Sequence, residues 1–394
     1  MRIVDVTRKT LLAAVLLLLA LWPALANDVE LTGMLRSYSG VRLEKSDVPV
    51  TEQTVDINLR GWGDMTQINV NPYVYVGADG EPDIGLREAY IDLFLPSLDL
   101  RVGQQAVVWG EAEGVFITDI VSPQDMRSFI LADFREIRMG IPAVRADYYA
   151  GPFTFEAVWI PRFVPSRLPD SGSIWFTPEM SALSGAELPS DALENSEIFG
   201  KLSYFGSALN AEVMAGYAWD DQPVRFSGSD FAYERYAVAG GSFSTTLGSF
   251  VLRSEAAVYM DRAFTYEAPA PADKHHQLHG LAGLDWSLWG VDMSAQYIGE
   301  YIVDYDEAVA ADEFGHTATF RLRDSYLSDT LELELFAYLG IDPWDALLRP
   351  SLTYSVEDGV EFETGAEIFI GDDEGKFGRY SDNTMLYASL RWYF

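Results

Sequence analysis

The sequence predicts an all-β fold, a transmembrane antiparallel β-barrel of about 18 strands (about 16 being the alternative count), with a long loop folded into the lumen. Three observations predict it. A secretory leader opens the chain, hydrophobicity then alternates with period two, and the connections alternate short and long.

The leader comes first. Arg2, Arg8 and Lys9 precede an apolar run from Leu11 to Leu25, and Ala24-Leu25-Ala26 places small residues where a signal peptidase cuts. The run is shorter than the roughly 20 residues a membrane-spanning helix needs, so 1–26 reads as a cleaved signal peptide and 27–394 as the barrel. No cysteine follows the cleavage site, which excludes a lipid anchor there. Removing Arg2, Arg8, Lys9 and Asp5 from 27 basic and 60 acidic residues leaves 24 and 59, so the net charge moves from −33 to −35.

Composition narrows the function classes. With no cysteine, disulfides, thiolate nucleophiles and iron–sulfur clusters are excluded. The acidic balance argues against nucleic acid as a partner, because phosphate recognition needs a surplus of Lys and Arg. An aromatic content of 13% separates the chain from acidic disordered proteins.

Strand signals follow in order along the chain. From Leu209, residues Leu209, Val213, Ala215, Tyr217 and Trp219 share one face and Asn210, Glu212 and Met214 the other. From Leu331, Leu331, Leu333, Leu335, Ala337 and Leu339 alternate with Glu332, Glu334 and Tyr338; from Val360, Val360, Phe362, Ala366, Ile368 and Ile370 alternate with Glu361, Glu363 and Glu367. Segments of about 10 residues suit tilted strands that cross a bilayer. Tight turns are expected at Gly61–Asp64, Pro96-Ser97, Gly151-Pro152, Gly206-Ser207, Gly248-Ser249, Gly290, Ser328-Asp329 and Glu357–Gly359, with longer polar stretches between them. Pairing hairpins puts both termini on the periplasmic side. A soluble sandwich or propeller would show shorter strands, and no blade-length repeat is present. The final strand places Leu386, Ala388, Leu390, Trp392 and Phe394 on one face, and a terminal Phe394 after such a strand is the signal read by the barrel-assembly machinery.

If the apolar faces meet lipid, the other faces line the lumen. Expected pore-lining residues are Arg60, Arg101, Arg145, Arg253, Glu255, Arg321, Arg323, Glu332, Glu334, Arg349, Glu361 and Glu363. Charges of both signs in these numbers require hydration or pairing across strands. The acidic excess gathers in the outer loops (Glu44, Asp47, Asp79, Glu81, Asp83, Asp304, Asp306, Glu307 and Asp372-Asp373-Glu374), a solvated face toward lipopolysaccharide. Neither acidic cluster has the spacing of a calcium-binding EF-hand loop, and no metal site or cofactor is expected. The stretch Gly110–Arg135 is too apolar for an exposed loop. Folded into the barrel mouth it would be buried, either simply packed against the inner wall or acting as a constriction loop through Trp109, Phe116, Asp119, Asp125 and Phe129.

Enzyme signatures are missing. His275-His276-x-x-His279, placed in or beside a loop, lacks the glutamate of a zinc-protease motif, and no nucleophile elbow is present.

Arg101-x-Gly103-Gln104-Gln105-x-x-x-Trp109-Gly110, Asp119, Ser122-Pro123-x-Asp125, Ile160-Pro161-Arg162-Phe163-x-Pro165 and Phe377-Gly378-x-Tyr380-x-Asp382-Asn383 resemble an uncharacterised proteobacterial outer-membrane family, the domain of unknown function number thirteen hundred and two. The chain is also distantly similar to alginate-export-type porins, although the mixed lumen departs from their basic one. The resemblance implies an outer-membrane porin or exporter component of a Gram-negative bacterium. Within it, Gly103 and Gly110 are strand and loop-entry glycines, Trp109 an inner-wall anchor, and Asp119 and Asp125 turn caps. The expected function is passive diffusion of small solutes. The alternative is an export or lipid-trafficking component partnered with an inner-membrane pump.

Overall fold

In a computed structural model of the chain, residues 28–131, 134–183, 185–227, 230–267 and 271–394 are described; the expected signal peptide lies outside them. Twenty strands are present among these residues. The first nine are β1 (Asp28–Arg42), β2 (Val50–Trp62), β3 (Thr66–Val76), β4 (Pro82–Leu95), β5 (Leu98–Gln105), β6 (Ile141–Ala150), β7 (Phe153–Ile160), β8 (Glu197–Phe205) and β9 (Leu209–Trp219). A small hairpin, β10 (Val224–Ser227) and β11 (Asp230–Ala232), precedes β12 (Arg235–Leu247), β13 (Phe250–Phe264), β14 (Asp273–Leu288) and β15 (Val291–Ile302). The chain ends with β16 (Phe314–Tyr326), β17 (Leu331–Gly340), β18 (Asp345–Glu357), β19 (Val360–Gly371) and β20 (Met385–Tyr393).

All but the β10–β11 hairpin form one 18-stranded antiparallel sheet that closes on itself. Closure runs between β1 and β20, from Met34 opposite Tyr393 to Arg42 opposite Met385. Closure is what lets a sheet live in lipid, because an open edge would leave donors and acceptors without partners. Phe394 extends the seam. Its N–H donates to the Gly33 carbonyl at 3.0 Å, and its carbonyl accepts the Gly33 N–H at 2.8 Å. A Cβ at Gly33 would stand 2.4 Å from the Phe394 ring, so this glycine makes room for the terminal aromatic.

Every tight turn expected from the sequence joins two neighbouring strands at one end of the barrel, the end that also holds the start of β1 and Phe394. At Trp289-Gly290, φ values of 57° and 90° give the left-handed two-residue turn that matches strand twist. The other end carries the long connections. Side-chain parity follows the alternation of the sequence: Leu386, Leu390 and Trp392 are exposed outward while Met385, Tyr387 and Ser389 are buried inward.

Two irregularities shape the wall near the inserted loop. Arg87 is an extra residue between the pairs Pro72–Leu86 and Asn71–Glu88, a bulge that turns it inward. Gly103 has φ +140° and lies so close to β4 that a Cβ would fall 2.2 Å from the Ala89 carbonyl oxygen. Gly103→Ala should therefore block barrel assembly: the expected outcome is loss of the heat-modifiable folded band on a denaturing gel, and a normal band would contradict this account of the β4–β5 contact.

Candidate functional site: an inserted loop beside a charged channel

The connection between β5 and β6 leaves the wall after Gln105, crosses the lumen and returns at Ile141, passing a single helical turn, α1 (Phe134–Ile137). Hydrogen bonds from the far wall hold it there. Glu255 of β13, 2% exposed, accepts from the backbone N–H groups of Glu111, Ala112 and Thr118 and from the Thr118 hydroxyl at 2.9 Å. Glu113 pairs with Arg321 at 2.9 Å and Arg253 at 3.4 Å, and its backbone is bracketed by the Gln296 amide. Tyr259 donates to the Ile117 carbonyl at 2.6 Å, Tyr338 to that of Gly114 at 3.1 Å, and Arg349 to that of Leu131 at 3.1 Å. Trp109 donates its indole N–H to Glu156 at 2.9 Å and its backbone N–H to Asp119 at 3.0 Å. Burial pushes the Asp119 carboxyl above the usual carboxylate range, against the pull of Arg138.

One face of the loop is apolar. Val107, Trp109, Ile117 and Val121 pack with Ile141, Val158, Phe199, Val238, Ala257, Leu281 and Ile298 of the wall, filling the β6–β15 side of the lumen with a dry core. Each fully buried Val, Leu or Ile there adds about 1.5–3 kcal/mol. Farther along, Phe129 adopts φ +57° and enters a cage of Trp175 (5.8 Å), Tyr380 (4.9 Å), Phe369 (6.3 Å) and Phe377 (6.4 Å). The Phe377–Asn383 motif thus serves the loop: Tyr380 and Asn383 donate to the carbonyls of Trp175 and Ile174 in the β7–β8 connection, which carries α2 (Pro178–Leu183).

The opposite side of the lumen stays open. A cavity of about 1360 Å³ runs from Asp329, Thr330 and Tyr393 at the short-turn end to Arg167 and Leu188 among the long loops. Its basic lining includes Arg36, Arg87, Arg127, Arg138, Arg167, Arg349 and Arg391, and its acidic lining Glu52, Asp83, Asp125, Glu136, Glu332, Glu334, Glu361, Glu363 and Glu367. Tyr38, Tyr73, Tyr75 and Tyr387 stand between them. Many charges are paired: Arg36–Glu136 at 2.7 Å, Arg127 with Asp125 at 2.6 Å and Asp83 at 3.0 Å, Arg349–Glu367 at 3.0 Å, Arg391–Glu363 at 2.5 Å. A smaller recess of about 240 Å³ lies toward the short turns, lined by Glu113, Arg253, Asp285, Asp292, Arg321 and Arg323.

The expected pore-lining residues therefore divide. Glu332, Glu334, Arg349, Glu361 and Glu363 line the channel, and Arg253, Arg321 and Arg323 the recess. Arg60, Arg101 and Arg145 face inward but lie along neither space: Arg60 bonds Asn69, Arg101 pairs with Asp92 at 2.6 Å, and Arg145 with Asp147 at 3.0 Å and Glu156 at 3.2 Å. Glu255 is a correction. It is sealed beneath the loop because backbone donors cap its carboxylate. Of the expected constriction residues only Asp125 borders the channel; Trp109 and Phe129 anchor the loop, while Phe116 and Asp119 meet Arg138 within it. His275, His276 and His279 lie near the start of β14, beside the loop that precedes it, and alternation sends His275 and His279 inward and His276 outward. Asp83, expected in an outer loop, lies on β4 and bridges Arg127 and Arg167 inside the channel.

A closed 18-stranded barrel with its long β5–β6 connection folded inward has the fold of the outer-membrane porins. The chain belongs to the family described as "Protein of unknown function (DUF1302)", whose model matches residues 36–336. No curated protein matches it in sequence. Similar solved structures include Pseudomonas aeruginosa OccK8 (OprE), with TM-score 0.56 and 11% identity over 94% of this chain and 98% of that one. Acinetobacter baumannii OccAB1 gives 0.58 and 9% over 93% and 96%, and Pseudomonas aeruginosa OccK2 (OpdF), in complex with glucuronate, 0.55 and 10% over 94% and 98%. At these identities the likeness is one of fold. The expected similarity to alginate-export-type porins finds no support in these matches.

Removing the Glu255 carboxylate tests the loop's attachment. Glu255→Ala leaves four donors short of an acceptor, at about 1–3 kcal/mol for each buried group that water does not reach. The expected result is protease cleavage within 106–140 and a larger, noisier single-channel conductance. An uncut loop with unchanged conductance would contradict it.

Proposed function

We propose that this protein is a passive outer-membrane channel for small polar solutes. The carrying observation is the cavity of about 1360 Å³ that passes beside the loop from one barrel end to the other between charged walls. A barrel of about 18 strands is wide enough for an aqueous path unless it is filled, and here the loop fills only one side. Arginine–carboxylate pairs along the path present polar partners to a passing solute while their mutual pairing limits the cost of dehydration. The neighbouring fold of OccK2 carries glucuronate, a sugar carboxylate, and Pseudomonas aeruginosa OpdK has been captured with vanillate, an aromatic carboxylate. The arginines and tyrosines of this channel suit solutes of that size and polarity. Periplasmic termini, delivery by a cleaved leader and assembly through Phe394 belong to the same reading.

Planar-bilayer recording tests it. Stable ohmic steps are expected, and a barrel that inserts but stays electrically silent would defeat the proposal. Selectivity provides a second measurement. Neutralising Glu332, Glu334, Glu361 and Glu363 to glutamine removes one carboxylate partner each from Arg391, Arg321 and Arg323, so the reversal potential under a salt gradient should move toward anion preference. An unchanged reversal potential would mean that these side chains do not face the conducting path.

A further inference from the structure

The wall beside the channel is incomplete on one side. β5 and β7 have eight residues each, fewer than the roughly 9–11 a tilted strand needs to cross the apolar band. At about 40° of tilt eight residues rise only ~18 Å, against an apolar band of ~25 Å. β4 continues past the end of β5: their register stops at Ala89 opposite Gln104, so among the described residues Pro82–Glu88 has no ladder partner on that side, and the Gly140 backbone packs against the Arg87 carbonyl there. The foot of the gap is closed by the Gln104 side chain, which donates to the Leu86 carbonyl at 2.7 Å, and by Ala106 donating its N–H to Glu88 at 3.0 Å. Above it, the lining of the channel cavity changes face. Besides the inward Tyr73, Gly85 and Arg87, the same cavity is bordered by Ile84 and Val102, whose side chains point out of the barrel and are 61% and 53% exposed, and by the outward Val144. One continuous space thus touches both faces of the wall.

We propose that the channel has a lateral portal. It opens between β4 and the tops of β5 and β6 into the long-loop half of the membrane, and admits a single-chain amphiphile. The apolar tail passes over Ile84, Val102 and Val144, and the polar head stays on the lumen side near Tyr73 and Arg87. An unpaired strand edge facing lipid is costly, and a wet channel directly behind the edge supplies it with water. The portal deepens the channel reading, on which its inner path rests.

The absence of native cysteine permits a direct test. Tyr73→Cys, beside the gap, and Thr353→Cys, on the far wall of the same cavity, are each placed in phosphatidylcholine vesicles. Each is then exposed to a maleimide tethered to a phospholipid, or to a water-soluble maleimide. The soluble reagent should modify both cysteines, whereas the tethered one should modify only Tyr73→Cys. Tyr75→Cys serves if Tyr73→Cys does not fold. Adding Ile84→Trp and Val144→Trp should abolish modification by the tethered reagent and spare that by the soluble one. A tethered reagent that fails at both positions, or labelling unaffected by the tryptophans, overturns the portal. Ion conductance is measured on the same samples, so loss of conductance with retained tethered labelling would fault the channel reading alone.

Discussion

A sheet inside a membrane cannot keep a free edge, and most of this structure answers that constraint. Backbone N–H and C=O groups find no water in hydrocarbon, so the strands must pair all the way round. The β1–β20 seam completes the ring, and the terminal Phe394 adds two more backbone bonds beyond it. Closure then sorts the side chains. Alternation puts one set against lipid and the other in an enclosed space too wide for wall residues alone to fill.

The inserted loop sets how that space is used. Its apolar side chains join one wall in a packed core, and its polar backbone is received by Glu255, Gln296, Tyr259 and Tyr338 from strands across the barrel. Buried polar groups are tolerated there because each meets a partner. The other side stays open, and the charged residues of both signs collect along it. A net charge of −33 is therefore not uniform. Acids that face the lumen are largely matched by arginines, and the excess falls in connections such as 303–313 and 372–384.

Strand number, turn positions and the inward or outward sense of most residues were legible in the sequence because a period of two leaves little freedom once one face meets lipid. Where the period breaks, legibility ends. Strict alternation through β4 makes Glu88 inward and Arg87 outward; the bulge turns both inward, and Arg87 becomes a channel residue. Arg127, Arg138 and Arg167 were illegible for a different reason. They come from connections whose path depends on contacts with distant strands, such as Leu131 with Arg349. Glu255 had the right parity and the wrong role, since nothing local shows that a carboxylate meets a loop more than a hundred residues earlier. The apolar character of Gly110–Arg135 did announce an inward loop. The family resemblance implied an inner-wall anchor at Trp109, but nothing in the sequence assigned Phe129 to an aromatic cage.

The central claim is that the loop divides the lumen into a dry side and a wet side. Because the chain has no native cysteine, single cysteines at Ser351 and Ala257, one on each side, can be exposed to a charged, membrane-impermeant thiol reagent. Rapid modification at Ser351→Cys with protection at Ala257→Cys is the predicted result. Equal modification at both positions would contradict the division.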